Sequence, residues 1–293
     1  MNAGALELAD STLENNVAQR NFGGAIYAAD SADLAITDTE FAYNSAKTNG
    51  GAIYQLRGES TISRVTFSNN GITEDGANST AGGGALYVES GVSTKVSRSI
   101  FTDNSATKQG GAIVANRSTA FNVDNSLFAK NDAPSSAAIL VARSSLNLTN
   151  VTVAENTGAN AVNYTNISTG EIVNSIIASN DGADVRRSAN SSVTASYTLS
   201  AYTSWTSGSN NREYNADGSL FADAASGNYT LASDSQALDA GDDSVVNDGD
   251  LDLAGYARIV GDAVDLGAYE LKTTTSSVLD EAFAELFVED LDF

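Results

Sequence analysis

One pattern returns along the chain at a nearly fixed step and limits what it can fold into: an apolar residue, two variable residues, then asparagine. It runs Leu13 to Asn16, Phe41 to Asn44, Phe67 to Asn70, Phe101 to Asn104, Phe128 to Asn131, Val153 to Asn156 and Ile177 to Asn180. The steps between the apolar positions are 28, 26, 34, 27, 25 and 24 residues, and an insertion around Ile72 to Gly82 accounts for the long one. A second motif interleaves with the first: Gly23-Gly24-Ala25-Ile26, Gly50-Gly51-Ala52-Ile53, Gly83-Gly84-Ala85-Leu86 and Gly110-Gly111-Ala112-Ile113, with degenerate copies at Ala137-Ala138-Ile139 and Asn160-Ala161-Val162. A third, weaker strand precedes each F-x-x-N, as in Leu34 to Ile36, Thr61 to Val65, Leu146 to Leu148 and Glu171 to Val173.

Three short strands with their turns in each repeat are the geometry of one coil of a parallel β-helix. A single coil cannot bury its apolar side, but stacked coils share a continuous core. Coils spaced about 4.8 Å apart place equivalent residues directly above one another. The sequence therefore predicts an all-β, right-handed single-stranded parallel β-helix of about seven coils with a non-repeating C-terminal cap. Helical and leucine-rich solenoids are disfavoured, because no 3.6-residue apolar period runs through the repeats. The motif phenylalanine points inward, and the asparagine is placed at a turn, where it tolerates the left-handed conformation. Asn16, Asn44, Asn70, Asn104, Asn131, Asn156 and Asn180 are expected to pass amide hydrogen bonds from coil to coil as a ladder. The glycine pair supplies positive φ and close backbone approach.

Composition narrows the chemistry. With no cysteine and no histidine in 293 residues, disulfides, thiolate or imidazole metal sites, Ser-His-Asp triads and a histidine base are excluded. The formal net charge of −22, from 37 acidic and 15 basic side chains, repels phosphate backbones, so no nucleic-acid partner is expected. No stretch approaches the roughly 20 apolar residues of a membrane-spanning helix, and no signal peptide opens the chain. Gly4-Ala5-Leu6-Glu7-Leu8 reads as the Gly-Gly-Ala strand of a coil. The chain thus starts inside the repeat, which points to a larger parent protein or a truncated reading frame. Oligomeric state is left open.

The paired G-G-A-I/L/V and F-x-x-N motifs over residues 1 to 180 resemble the repeats of the chlamydial polymorphic outer-membrane proteins. That resemblance implies a secreted or cell-surface adhesive protein of bacterial origin, although the cysteines of that family and its autotransporter barrel have no counterpart here. Three regions are expected: β-helix repeats over 1–196, a C-terminal module over 197–271, and a Thr/Ser linker with an acidic amphipathic tail over 272–293. In the second, Asn228-Tyr229-Thr230-Leu231, Ser235 to Gly241, Asp252 to Ile259 and Val264 to Glu270 resemble the choice-of-anchor Q module of bacterial β-helix surface proteins. Gln236 stands where that module carries proline, and Tyr256-Ala257 where it carries Asn-Pro. The module reads as a cap over the open end of the solenoid, with Arg258 paired to Asp265 or Glu270. The tail, with Leu279, Phe283, Leu286 and Phe287 at helical spacing, resembles the acidic C-termini of type I secretion substrates or is a helix packed on the cap.

Three surface features are candidate sites. The residue after each inward Ile or Leu of the Gly-Gly-Ala strand points outward, so Tyr27, Tyr54 and Tyr87 form an exposed strip able to bind sugar rings or a cell-surface protein, or simply to brace neighbouring strands. Three residues before the motif phenylalanine stand Asp38, Arg64 and Arg98, in adjacent coils, which read as a surface ion pair or as a site for an acidic sugar. Because many pectin-lyase-like β-helices are polysaccharide lyases or glycoside hydrolases, that cluster carries the alternative reading of a carbohydrate-active enzyme. No cofactor is required. Asp242, Asp243, Asp248, Asp250 and Asp252 supply oxygens of the kind calcium takes, yet Leu253 stands where an EF-hand-like loop needs glycine, and the other reading is a solvated acidic turn.

Overall fold

The structure is a computed structural model and describes residues 2–74, 81–118, 120–202 and 204–272. The expected amphipathic tail, Ser276 to Phe293, lies outside the described residues. Within them the chain is almost entirely short strands, with 3-10 turns at Ala224–Ser226 and Asp243–Val245. The strands of successive coils pair in parallel, and the one antiparallel pair among the described strands joins Phe221–Asp223 to Asn228–Leu231.

Like residues lie over like residues for about seven turns. One inward file runs Ile26, Ile53, Leu86, Ile113, Ile139, Val162 and Val185. A second runs Leu8, Ile36, Ile62, Val96, Val123, Leu148, Ile172 and Ala195. The third begins at Leu13 and continues through Phe41, Phe67, Phe101, Phe128, Val153 and Ile177. Its four phenylalanines are fully buried, with ring centroids 5.0, 4.6 and 4.7 Å apart and planes within 11° of parallel. Regular coil spacing thus turns one residue type into a continuous stack inside the core.

The N-terminal register differs from the sequence reading. Leu6 pairs with Leu34 and Leu8 with Ile36, so Gly4 to Leu8 belong to the strand preceding F-x-x-N and not to the Gly-Gly-Ala strand. A lone Gly-Ala-Leu is too short to separate the two, since both strands alternate small and aliphatic residues.

Each coil turns through residues in the left-handed region, and these too are stacked. Asn15, Tyr43, Asn69, Asp103, Lys130, Glu155 and Ser179 have φ between 54° and 60°. They are the residues just before the repeat asparagines, so the turn is one position earlier than the sequence reading placed it. A left-handed backbone costs a side-chain-bearing residue about 1–2 kcal/mol, and stacking against the coils on either side holds it there. The repeat asparagines are thereby freed to point inward. Asn44, Asn70, Asn104, Asn131 and Asn156 are fully buried. Oδ1 of each accepts both the backbone N–H and the Nδ2 of the asparagine one coil earlier, from Asn16 onto Asn44 through to Asn156 onto Asn180. Each Nδ2 from Asn44 onward also donates to the carbonyl of an earlier motif apolar residue, as Asn104 does to Phe67 at 2.9 Å. Asp184 ends the file by accepting from Asn180 Nδ2 at 3.1 Å, and its other oxygen takes Ser200 Oγ and the Ala201 N–H.

The two glycines of the second motif have separate reasons. Gly83 has φ +68°, whereas Gly84 is ordinary in φ but a Cβ there would meet the Gly111 carbonyl oxygen at 2.1 Å. The first glycine makes the corner; the second lets adjacent coils touch backbone to backbone.

The solenoid end is covered by the segment following Ser200, where Tyr202 and Trp205 pack on the core edge-to-face, 4.7 Å apart. Tyr202 and Trp205 lie at the start of the C-terminal module; the remainder of it, from Leu220 onward, lies elsewhere. That remainder folds back along the outer flank of the F-x-x-N strands. Leu220, Leu231, Ala237, Ala240 and Leu266 pack on Ile176, Ala178 and Leu199, while Tyr229 packs on Leu127, Ala129 and Ala154. The Ala268 N–H donates to Thr152 Oγ1 at 3.0 Å, and Asn174 exchanges hydrogen bonds with the Asp242 backbone at 2.8 and 3.1 Å. The reason lies in the outward positions of these strands. They are Thr66 and Ser68 in an early coil but Leu127 and Ala129 in a later one, so the later coils carry an apolar flank that must be covered.

Candidate functional site

The strand after each Gly-Gly-Ala carries an outward file of Tyr27, Tyr54, Tyr87, Val114, Leu140, Asn163 and Arg186 in strict register. The three tyrosines do stack, with centroids 5.5 and 5.4 Å apart, and Phe22 lies 4.5 Å from Tyr54. They are not an exposed strip. Tyr27 is 44% exposed, but Tyr54 and Tyr87 are each 4% exposed, because each ring is covered above and below by its neighbours. Their hydroxyls are engaged as well: Tyr54 donates to Glu89 Oε2 at 2.7 Å, and Asn116 Nδ2 donates to the Tyr87 oxygen at 3.4 Å. Burial, reinforced by the Glu89 carboxylate, pushes the Tyr87 phenol up to about 12. Tyr54 and Tyr87 therefore offer a partner little ring surface, and brace the sheet instead.

Asp38, Arg64 and Arg98 fall at one corner, in the left-handed file that also holds Asp10, Asn125, Asn150 and Asn174. Arg64 grips Asp38 in a two-point pair, Nε to Oδ1 at 2.6 Å and Nη2 to Oδ2 at 2.5 Å. The Arg64 hydrogen bond, with the charges of Arg64 and Arg98, holds the Asp38 carboxyl below the usual carboxylate range. Both partners are solvent-accessible, and a shallow hollow bordered by Asp10, Glu40 and Thr66 lies beside them. The pair is closed on itself and set among acidic neighbours.

The acidic loop does not converge. Among the described residues no three acidic side chains come together in a way that could hold a metal ion. Four of the five carboxylates are instead spent locally, Asp248 being exposed: Asp242 accepts the Ser244 N–H, Asp243 the Val264 N–H, Asp250 the Asn247 N–H, and Asp252 the N–H groups of Tyr256 and Glu270. These oxygens fix turns, so the loop does not fit the several convergent oxygens that calcium requires.

The same module encloses Arg258, Asp252, Asp265 and Glu270, all buried. Arg258 does not pair with a carboxylate, contrary to the sequence reading. Its Nη1 donates to the Gly267 carbonyl at 3.1 Å and its Nη2 to the Asp265 carbonyl at 2.8 Å. The carboxylates already serve backbone N–H groups, which leaves the main-chain carbonyls as acceptors for the guanidinium. Burial lowers the affinity of Arg258 for its proton and raises Glu270 to about 8.

The residues missed by sequence reasoning are two members of the tyrosine file and one neighbour of it. Asn163 is 3% exposed, gives Nδ2 to Ser136 Oγ at 3.1 Å, and has no partner for Oδ1. Arg186 stands one coil further along the file, and Arg143 stands at the left-handed turn after the Ile139–Ala142 strand; both line one groove with Val114 and Leu140. The signal for Arg186 was present in the register, which needed only to be followed one coil past Asn163.

Stacked parallel coils with files of identical side chains define a β-solenoid protein. Residues 10–29, 38–55 and 98–116 match the Chlamydia polymorphic membrane protein repeat. Repeats of this kind imply an outer-membrane or surface β-helix protein. No curated protein matches the chain. Among the described residues no helix is long and apolar enough to cross a membrane.

Proposed function

We propose that the chain is an extracellular adhesive β-solenoid, a rigid surface spacer whose lateral sheet face binds carbohydrate or a cell-surface protein. The observation that supports this most is the polymorphic-membrane-protein repeat carried on unbroken parallel files. A stack in which every coil is tied to the next resists bending and displays side chains on a regular lattice, which suits a surface binder. We read residues 197–271 as a choice-of-anchor Q-like module, whose packing on the flank of the later coils would couple an anchor to the rod. Binding takes precedence over catalysis in this reading. A general acid needs a raised pKa, whereas Arg64 holds the Asp38 carboxyl low.

The test is adhesion. Purified chain is presented to cultured cells and to arrayed glycans and matrix proteins, and saturable binding that survives removal of divalent cations is expected. Failure to bind any of these surfaces contradicts the adhesive reading.

A further inference from the structure

A groove of about 500 Å³ runs along the Gly-Gly-Ala face across the coils of Leu86–Glu89, Ile113–Asn116, Ile139–Ala142, Asn160–Thr165 and Ala183–Arg187. We propose that it is a binding subsite for an anionic carbohydrate, with Val114 and Leu140 as floor, Asn163 Oδ1 as hydroxyl acceptor, and Arg143 and Arg186 as the cationic wall. This rests on the adhesive reading above and names its ligand class.

Three independent features converge. The first is charge. Arg143 and Arg186 line the groove, both are exposed, and neither has a carboxylate partner among the described residues, although the chain carries 37 acidic side chains. Guanidinium groups left unpaired on so acidic a molecule are suited to carboxylate or sulfate, which they bind through two parallel N–H donors. The second is the orphaned Asn163 Oδ1. A buried acceptor without a donor costs about 1–3 kcal/mol, and a ligand O–H at this point would relieve it. The third is the floor. Val114 and Leu140 are 1% and 5% exposed, so they close the groove from below with a dry base against which the arginine charges are less screened. A hydroxyl donor and a negative charge within one small ligand are the attributes of an acidic sugar, and the volume falls within the usual range for small-ligand sites.

An acidic peptide fits less well. The groove lies on the face of a sheet whose backbone groups are already paired with the coils on either side, so strand addition, which needs a free edge, is not available there. A short acidic sugar can set its charge against the two arginines alone, whereas a nucleic acid spreads continuous phosphate charge beyond the groove over a surface of net charge −22.

The experiment is calorimetric titration of the purified full chain with four probes of matched length. These are an oligogalacturonate, a sulfated heparin oligosaccharide, a neutral cello-oligosaccharide and oligo-glutamate. Binding of either acidic sugar at least tenfold tighter than both the neutral sugar and the peptide is expected, and the two acidic probes separate carboxylate from sulfate preference. The double variant Arg143→Gln/Arg186→Gln should lose at least tenfold in that affinity with an unchanged melting temperature. Asn163→Leu, which removes the acceptor but not the charge, should weaken the acidic sugar while leaving the salt dependence of binding unaltered. Equal affinity for the neutral sugar or for oligo-glutamate, no binding of either acidic sugar, or insensitivity to the arginine replacements would each overturn the subsite. If the calorimetric outcomes overturn the subsite while the parent chain still adheres to cells, the adhesive reading stands and this subsite alone falls.

Discussion

Asn70 donates twice to one atom of Asn104: its backbone N–H and its Nδ2 each reach Oδ1 at 3.0 Å. Asn104 repeats the arrangement onto Asn131, at 3.1 and 3.0 Å. Since every member from Asn44 to Asn156 is both acceptor for the coil before and donor to the coil after, the ladder makes adjacent coils interdependent. Polar groups this deeply buried are stabilising only while each is satisfied.

Replacing a central rung therefore costs more than one hydrogen bond. Asn104→Ala strands two donors of Asn70 and the Phe67 carbonyl loses a partner, so destabilisation on the order of 3 kcal/mol or more is expected. Asn16→Ala, at a solvent-exposed rung, should cost well under half of that. Urea unfolding followed by circular dichroism measures both.

The aromatic files differ in the same way between interior and margin. Phe101→Ala empties a position stacked on both sides and should cost about 3–5 kcal/mol. Among the tyrosines, Tyr54→Ala should destabilise by several times the effect of Tyr27→Ala, because Tyr54 is buried between two rings and bonded to Glu89. Equal melting temperatures for the two tyrosine variants would mean that the strip is open to solvent after all.

Glu270 gives the C-terminal module a pH dependence of definite sign. Its folded value of about 8 lies above the unfolded 4.5, through burial and the nearby Asp265 and Asp252 charges, partly offset by Arg258. The folded module keeps a proton that the unfolded chain releases, so this group's contribution is complete below about 4.5 and is lost as pH rises through about 8. Thermal melts of parent and Glu270→Gln across that interval should diverge, the parent losing stability relative to the variant towards high pH. Parallel curves would remove Glu270 from the account.

The module's lateral seat is tested through Thr152 and Asn174. Thr152→Val removes the acceptor for the Ala268 N–H, and Asn174→Ala removes both bonds to Asp242. The double variant should open the region after Ser200 to limited proteolysis while the coils remain resistant.

Much of this was readable in the sequence, and the division has physical causes. The phenylalanine and asparagine files were legible because an in-register parallel stack demands the same residue type at the same place in every coil. Gly83 and Gly84 were legible as a pair, although only contact with the Gly111 carbonyl separates their roles. The fate of Tyr54 was not, since alternation tells which face a side chain takes but not that its neighbours will cover it. The seat of the module was hidden for a related reason. Leu127 and Ala129 look like any β-strand residues until their outward positions are compared with Thr66 and Ser68. Arg258 was misassigned because charge complementarity suggested carboxylates, whereas those oxygens were already accepting backbone N–H groups. Arg143 and Arg186 lie in sequence contexts with nothing in common, and only the register brings them to one groove.

The stacking itself is open to a direct chemical measurement, because the chain contains no cysteine. Asn122 and Asn147 are in-register partners on adjacent coils, with their side-chain amides 2.9 Å apart. The double variant Asn122→Cys/Asn147→Cys should close an intramolecular disulfide under mild oxidation, since neighbouring strands lie within the Cα separation such a bond tolerates. Asn122→Cys/Glu171→Cys, two coils apart, should remain reduced. A free thiol pair in the first variant, or ready bridging in the second, would contradict the in-register solenoid.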